Sequence, residues 1–227
     1  MVEPNTDEIA ALAELCIRHG LYKDARNHIE NIVTRKSLSK TRLAAAEANM
    51  LIDCWKKESR PLLSFMNIPK DDANVNLKNF STKVARDVQQ LADAYVKLID
   101  RCLLLNNSEY NANEFKYFKG CLLKVSTSVA PENENSDLFE KSLQNLVEAN
   151  DWASQNLGPL HKTRLRMGLT LSQLYLMRND EAKAIDVASK AYNEFMNARQ
   201  GQEQLLLPAS LSSLLELKEI LDSRGKQ

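Results

Sequence analysis

The segment that decides the fold of this chain is Pro159-Leu-His161-Lys-Thr-Arg164-Leu-Arg166-Met-Gly-Leu169-Thr170-Leu-Ser-Gln173-Leu-Tyr175. It follows Gly158, and a proline at this point is typical of the start of a helix. The leucines then recur at helical spacing, and a few polar residues share their face. The segment therefore predicts a helix whose apolar face also carries a small number of polar side chains.

The composition extends this helical prediction to the whole chain. Among 227 residues there are only six glycines and six prolines, and 44% of the residues are hydrophobic. Alternating β-type patterns are scarce, and long stretches rich in Leu, Ala, Lys and Glu are typical of helices. A chain of this length can bury a sizeable core as one large or two small domains. We find no low-complexity linker and expect a single domain over residues 1–227.

Helix start and stop signals predict about nine helices. Thr6 or Asp7 is expected to cap the first, and Ser37 or Ser39 to open the third, which Pro61 limits near residue 60. The predicted ranges are 7–18, 22–34, 39–60, 77–105, 113–128, 136–155, 159–175, 180–199 and 208–224. The expected fold class is all-α, an array of antiparallel helices wound into a superhelix with a concave face.

Charge and cysteine usage limit the possible partners and compartments. Lys plus Arg number 30, as do Asp plus Glu, and a zero net charge argues against an obligate nucleic-acid binder. The N-terminus does not resemble a secretory signal, and no apolar run has the length of a membrane span. The four cysteines form no CxxC pair, which favours free thiols in a reducing compartment. We expect a cytoplasmic or nuclear protein with no nucleic-acid or membrane partner.

Nothing in the sequence predicts catalysis. The three histidines, His19, His28 and His161, lie at helix ends or on helix surfaces. No phosphate-binding glycine loop, zinc motif, nucleophile elbow or Cys/His cluster is present. We therefore expect no enzyme activity, no metal and no cofactor.

Five segments together resemble the 14-3-3 family of dimeric, all-helical adaptors. They are Leu12-Ala13-Glu14, Asp100-Arg101, Lys119-Gly120, the opening segment, and Ala188-Ser-Lys-Ala-Tyr-Asn-Glu194. The opening segment is similar to the seventh helix of that family. Two other family strings are eroded. One of them is the third-helix string, which reads Arg42-Leu-Ala-Ala-Ala-Glu-Ala-Asn-Met50-Leu here. The resemblance implies a groove that binds phosphoserine or phosphothreonine peptides.

In the family, a lysine and an arginine of the third helix and an arginine–tyrosine pair of the fifth bind the phosphate. The resemblance carries these positions to Met50, Lys57, Lys124 and Val125, with Lys119 nearby. Two cations remain at the four positions, both of them lysines, and lysine lacks the planar fork with which arginine grips phosphate. The implied phosphate site is therefore weakened. Without the resemblance, adjacent lysines such as Lys56-Lys57 are equally typical of a solvated helix face.

The resemblance also places a wall of the peptide groove in the last third of the chain. Its apolar positions fall on Leu169, Leu211 and Leu215, which could equally be ordinary core. Its two backbone-binding asparagines fall on Thr170 and Glu219, and an ionised carboxylate can only accept hydrogen bonds. Arg166 lies four residues before Thr170 on the same helical face. We hypothesise that it pairs with Glu219 or supplies a replacement cation; the alternative is a solvated arginine.

For dimerisation, the resemblance implies contacts at Leu12, Arg18, Phe80 and Lys83. We expect an isologous homodimer. The leading prediction is a non-catalytic adaptor that binds phosphorylated segments of client proteins in a concave groove, with an eroded phosphate site. The alternative is a helical scaffold of the same fold that binds unphosphorylated or acidic peptides.

Overall fold

A computed structural model of the protein describes residues 5–64, 82–106, 108–129, 132–200 and 208–224. Within these ranges the chain forms nine α-helices and no β-strand. They are α1 (Thr6–Arg18), α2 (Tyr22–Leu38), α3 (Ala45–Ser64), α4 (Thr82–Leu105), α5 (Glu109–Val129), α6 (Glu132–Asn156), α7 (Lys162–Met177), α8 (Glu181–Arg199) and α9 (Pro208–Arg224). The prediction of an all-α fold is confirmed.

The chain divides into two compact units, Met1–Leu138 and Phe139–Gln227. In the first unit α2 packs against α1, α3 and α4, and α4 packs against α5. In the second unit α7, α8 and α9 pack against one another. The predicted single domain and concave face concern the whole chain and stay predictions.

The first helix is capped by a different residue from those predicted. The Asn5 side chain accepts a hydrogen bond from the Glu8 backbone N–H at 2.9 Å, and Glu8 Oε2 accepts one from the Asn5 N–H at 2.8 Å. This reciprocal capping box satisfies two of the backbone donors that a helix start leaves without partners. The expectation of Thr6 or Asp7 as the cap was wrong because Asn5 already has the glutamate it needs three residues later.

The boundary between the second and third helices also differs from the prediction. The second helix continues to Leu38 because the Ser39 hydroxyl donates to the Arg35 carbonyl at 2.9 Å and so completes the last turn of α2 instead of opening α3. Lys40 then adopts a positive φ of 53°, which turns the chain away from the helix axis. The third helix starts at Ala45 and continues through Pro61 to Ser64.

Two helices begin earlier than their capping signals indicated. The fifth starts at Glu109 rather than near Asn113, and the sixth at Glu132, so that Ser136 lies inside it. Side-chain caps also begin the seventh and eighth helices. His161 Nδ1 accepts from the Thr163 N–H at 3.2 Å, and Asp180 Oδ1 accepts from the Lys183 N–H at 3.3 Å.

The core of the first unit contains a polar network among buried aromatic side chains. The Tyr95 hydroxyl of α4, which is fully buried, donates to Glu58 Oε2 of α3 at 2.6 Å. Arg26 of α2 donates from Nη1 to both oxygens of that carboxylate, at 3.1 and 3.2 Å. The ring of Trp55 meets Tyr95 edge-on at 4.9 Å. This network joins three helices, so their relative positions depend on specific polar contacts as well as on apolar burial.

The core of the second unit is apolar. Its buried members are Leu165, Leu169, Ala188, Phe195, Leu214 and Leu217. Helices α7 and α8 approach closely at Gly168, where an added Cβ would lie 2.8 Å from the Cβ of Ala191. A glycine at this position therefore sets the separation of the two helices.

Candidate functional site

The cation that the sequence predicts for phosphate binding on α3 is exposed and has an acidic neighbour. Lys57 Nζ lies 2.9 Å from Asp53 Oδ2, one helical turn away, and the two side chains are 45% and 50% exposed. The hydrogen bond to this carboxylate raises the pKa of Lys57. Lys57 is available to an incoming anion, but that anion has to compete with Asp53 for the ammonium group.

An open groove between α1 and α3 brings Lys57 together with residues predicted for other roles. Its volume is about 420 Å³. It is lined by Glu14, Ile17, Arg18, Ala46, Asn49, Met50, Asp53 and Lys57. Met50, at the position where the family has a lysine, is only 8% exposed. Arg18, predicted for the dimer interface, therefore shares a groove with two residues of the predicted phosphate site.

The charges along this groove balance one another. Arg18 Nη2 lies 3.4 Å from Glu14 Oε2 on α1, and the Lys57–Asp53 pair lies on α3. Each helix thus contributes one cation and one carboxylate at a spacing of four residues. The groove offers alternating charges above a floor of Ile17 and Met50, which suits a peptide with mixed charge as well as a phosphate.

On α5 the predicted residues have different surroundings. Lys119 Nζ contacts Asp100 Oδ1 of α4 at 2.7 Å, and its side chain is 23% exposed, so this cation is already paired inside the first unit. Lys124 and Val125 are half-buried. The convergence of Lys57 and Lys124 on one phosphate stays a prediction.

In the second unit the positions predicted to form the peptide wall separate into core and surface. Leu169 is 6% exposed and belongs to the apolar core. Arg166 and Thr170 are half-buried, and the Thr170 hydroxyl donates to the Arg166 carbonyl at 3.0 Å. The donor of that hydroxyl is therefore used within the helix.

The last helix presents an exposed face with the spacing expected for peptide contact. Leu211 and Leu215 are 44% and 53% exposed, and Glu219, four residues further on, is also exposed. Leu214 and Leu217 of the same helix are buried on the opposite side. Two exposed leucines one turn apart are available for an apolar partner, and Glu219 makes the end of that face acidic.

Three polar residues next to this face were not identified from the sequence. Gln173 Nε2 of α7 donates to Glu216 Oε2 of α9 at 3.2 Å, and the Ser212 hydroxyl lies 3.2 Å from Glu216 Oε1. No local signal pointed to the contact between Gln173 and Glu216, because these two residues are far apart in the sequence. In contrast, the spacing of Asp53 and Lys57 was visible in the sequence as a pair four residues apart.

The dimer positions are described only in part. On α1, Leu12 is 43% exposed and Leu15 is 52% exposed, while the side chain of Arg18 is 75% exposed. Phe80 and the side chain of Lys83 lie outside the described residues. The described half of the predicted interface is therefore an exposed, partly apolar face of α1.

The described residues were also searched for reactive chemistry. They contain no group of three or more His, Cys, Asp or Glu side chains that could hold a metal ion. Burial raises the pKa of the Cys54 thiol to about 11 and that of Cys102 to about 12. These two thiols are therefore weak nucleophiles near neutral pH. No helix within the described ranges is long and apolar enough to cross a membrane.

Comparison with known proteins agrees with the all-helical fold. The family model described as 14-3-3 protein matches residues 12–205. The chain is 23% identical over 202 residues to 14-3-3 protein 2 of Entamoeba histolytica, covering 83% of this chain and 82% of that protein. It is also 23% identical over 201 residues to the 14-3-3-like protein GF14 chi of Arabidopsis thaliana, covering 83% and 74% of the two chains. The chain belongs to the 14-3-3 protein family.

Proposed function

We propose that the protein is an adaptor that binds phosphoserine- or phosphothreonine-containing segments of client proteins through a weakened phosphate site. Proteins of the 14-3-3 family are non-catalytic adaptors that bind phosphopeptides, and this supports the general role. The single observation that carries the proposal is the exposed ammonium of Lys57 on the wall of the groove between α1 and α3.

The phosphate site is proposed to be weak because of two features of α3. Met50 contributes no charge where the family has a lysine, and Asp53 already holds the ammonium of Lys57 at 2.9 Å. A phosphoserine carries close to two negative charges at neutral pH and can displace a single carboxylate. It gains less, however, than from a pair of arginines, because a lysine offers a point charge and not a bidentate fork.

The second unit supports binding of the client's apolar side chains. Leu211 and Leu215 are exposed on α9 and lose water contact when an apolar group covers them. We propose that Arg166 either supplies a further cation on this unit or pairs with Glu219 of the same chain. If Arg166→Ala leaves phosphopeptide affinity unchanged, this role for Arg166 is wrong.

The second candidate function is a scaffold of the same fold that binds peptides regardless of phosphorylation. The observation that favours it is the balanced charge of the α1–α3 groove, where Glu14 and Asp53 offset Arg18 and Lys57. A groove with no net charge has no preference for a dianion unless its carboxylates are displaced. Such a protein would bind unphosphorylated or acidic segments.

The test is a titration of the full chain with a set of phosphoserine peptides and their unphosphorylated twins. The proposal predicts tighter binding of the phosphorylated peptide and loss of that preference in Lys57→Glu. Lys23→Glu, which changes an exposed lysine of α2 outside the groove, is the matched control. Equal affinity of the native chain for both twins would contradict the phosphate-dependent adaptor and support the scaffold.

We further propose that the protein forms a homodimer through the exposed face of α1 and acts in the cytoplasm or nucleus. Dimer formation is general in the family, and Leu12 and Leu15 are the exposed apolar residues of α1. The four cysteines are free thiols, as expected in a reducing compartment. Light scattering tests the dimer, and Leu12→Ser with Leu15→Ser is expected to yield monomers. A native monomer at micromolar concentration would contradict this part.

A further inference from the structure

The most exposed large hydrophobic side chains described in the first unit are two leucines at helix ends. Leu104, one residue before the end of α4, is 86% exposed, and Leu38, the last residue of α2, is 80% exposed. Side chains exposed to this degree protrude into solvent and do not line a cavity. They do not belong to the groove between α1 and α3, and no role proposed above uses them.

Both leucines lie at the same end of the first unit. The guanidinium of Arg26 lies over the ring of Tyr95 at 5.5 Å, and Arg101 Nη2 donates to Thr34 Oγ1 at 2.6 Å. These two contacts show that α2 and α4 run side by side in the same direction. Leu38 follows Thr34 by four residues and Leu104 follows Arg101 by three, so each lies about one turn beyond the second contact.

The last turn of α2 and the loop that follows it are basic. Residues 34–44 include Arg35, Lys36, Lys40 and Arg42 and no acidic residue. Lys36 pairs with Glu47 at 3.0 Å, while Lys40 and Arg42 are exposed. One exposed carboxylate also lies at this end, that of Glu109 at the start of α5. This end of the unit therefore presents more exposed cations than carboxylates around two protruding apolar side chains.

Hydrogen bonds hold the basic loop in a defined shape. The Thr41 N–H donates to the Lys36 carbonyl at 2.9 Å, and Lys36 Nζ donates to the Arg42 carbonyl at 3.0 Å. The Leu43 N–H donates to the Leu105 carbonyl at 3.1 Å, which ties the loop to the end of α4. The loop can thus present its cations with little loss of conformational entropy on binding.

We propose that this end of the first unit, formed by Leu38, Lys40, Arg42 and Leu104, docks onto the surface of a membrane that contains anionic phospholipids. A bilayer presents negative headgroups above a hydrocarbon layer, which matches exposed cations around protruding leucines. An acidic protein surface would match the cations but would have to supply pockets for both leucines. The sequence-based expectation of no membrane partner rested on the lack of a spanning segment, and surface docking requires none.

The test is sedimentation of the full chain with vesicles of phosphatidylcholine alone and with vesicles that also contain phosphatidylserine. We expect binding only to the second kind, and weaker binding as salt is raised. The pair Lys40→Glu and Arg42→Glu should lower the bound fraction at least about tenfold. The pair Leu38→Ser and Leu104→Ser should lower it by about tenfold as well, because less apolar surface enters the interface.

Controls come from the opposite end of α2, where Leu21 is 53% exposed and Lys23 is exposed. Leu21→Ser and Lys23→Glu should leave vesicle binding unchanged, and both loop variants should keep the native phosphopeptide affinity. Equal affinity of the native chain for the phosphorylated and unphosphorylated peptides would therefore leave the proposal of membrane docking intact. No binding to phosphatidylserine vesicles would overturn it, as would equal loss in the controls. Binding to soluble polyglutamate but not to vesicles would also overturn it, in favour of an acidic protein partner.

Discussion

The two units of the chain use different interactions to hold their helices together. In the first unit Arg26, Glu58 and Tyr95 form a network across three helices, and Lys36 pairs with Glu47 through side chains that are 16% and 11% exposed. In the second unit the three helices α7, α8 and α9 close around a core of leucines and Phe195. The second unit also has a polar contact between helices, the pair of Arg164 of α7 with Glu194 of α8, but this pair joins two helices and not three.

This difference matters for the binding chemistry of each unit. In the first unit the cations predicted to bind phosphate already have carboxylate neighbours, Lys57 at Asp53 and Lys119 at Asp100. In the second unit Leu211 and Leu215 of α9, which the sequence predicts to form an apolar wall, are exposed. We infer that the first unit decides how much a phosphate adds to affinity. We expect Leu211 and Leu215 of the second unit to contribute affinity that does not depend on phosphorylation.

The largest expected effect tests the polar network of the first unit. Glu58→Ala removes the carboxylate that accepts from Arg26 and Tyr95, and both donors then lack a strong acceptor. Breaking such a pair is costly because it leaves an uncompensated charge away from water. Since the two charged side chains are 20% and 15% exposed, we expect a loss of about 2–4 kcal/mol in the free energy of unfolding.

Urea unfolding followed by circular dichroism measures this loss, with Glu14→Ala as the control. Glu14 belongs to an exposed ion pair on α1, so the same substitution there should change stability little. Similar losses in the free energy of unfolding for the two variants would show that the polar network stabilises the chain no more than an exposed ion pair does.

The second effect tests the apolar packing of the second unit. Gly168→Ala adds a Cβ that would lie 2.8 Å from the Cβ of Ala191, so α7 and α8 must separate. Overpacking of this kind costs about 1–3 kcal/mol. Gly158→Ala is the control because no atom lies within 4 Å of the added Cβ. Thermal unfolding should show the loss at Gly168 and its recovery when Ala191→Gly is added. A Gly168→Ala variant as stable as the native chain would show that the helices have room to spare.

The third and smallest effect tests the division of binding between the units. Leu211→Ser and Leu215→Ser each remove apolar surface that is about half exposed, so each should weaken peptide binding by about 1 kcal/mol, or about fivefold. Titration calorimetry should show the same loss for phosphorylated and unphosphorylated peptides. Leu160→Ser changes a leucine outside α9 and should have no effect. A loss of affinity confined to the phosphorylated peptide would show that Leu211 and Leu215 also contribute to phosphate recognition.

The sequence predicted the number and order of helices because each one has its own apolar period and end signals. It misplaced the boundary between α2 and α3 because a serine can serve either end of a helix, and only the bond from Ser39 to the Arg35 carbonyl decides between them. It missed the capping box because Asn5 lies one residue before the expected caps. Local patterns thus predict elements well and their ends less well.

The binding residues could be predicted in position but not in environment. The resemblance located Lys57, yet the sequence-based argument did not use the acidic residue four positions before it. It left open whether Leu169 belongs to the peptide wall or to the core, and the structure places this side chain in the core. Contacts such as Arg26 with Glu58 depend on three helices meeting in space, and no short-range pattern contains that information.

The central claim is that Asp53 limits the grip of Lys57 on phosphate, and Asp53→Asn tests it most directly. The amide cannot neutralise the ammonium, so the ratio of affinities for a phosphoserine peptide and its unphosphorylated twin should rise. The affinity for the unphosphorylated twin itself should stay the same. A ratio that is unchanged or lower in Asp53→Asn would contradict the account and would place phosphate recognition away from Lys57.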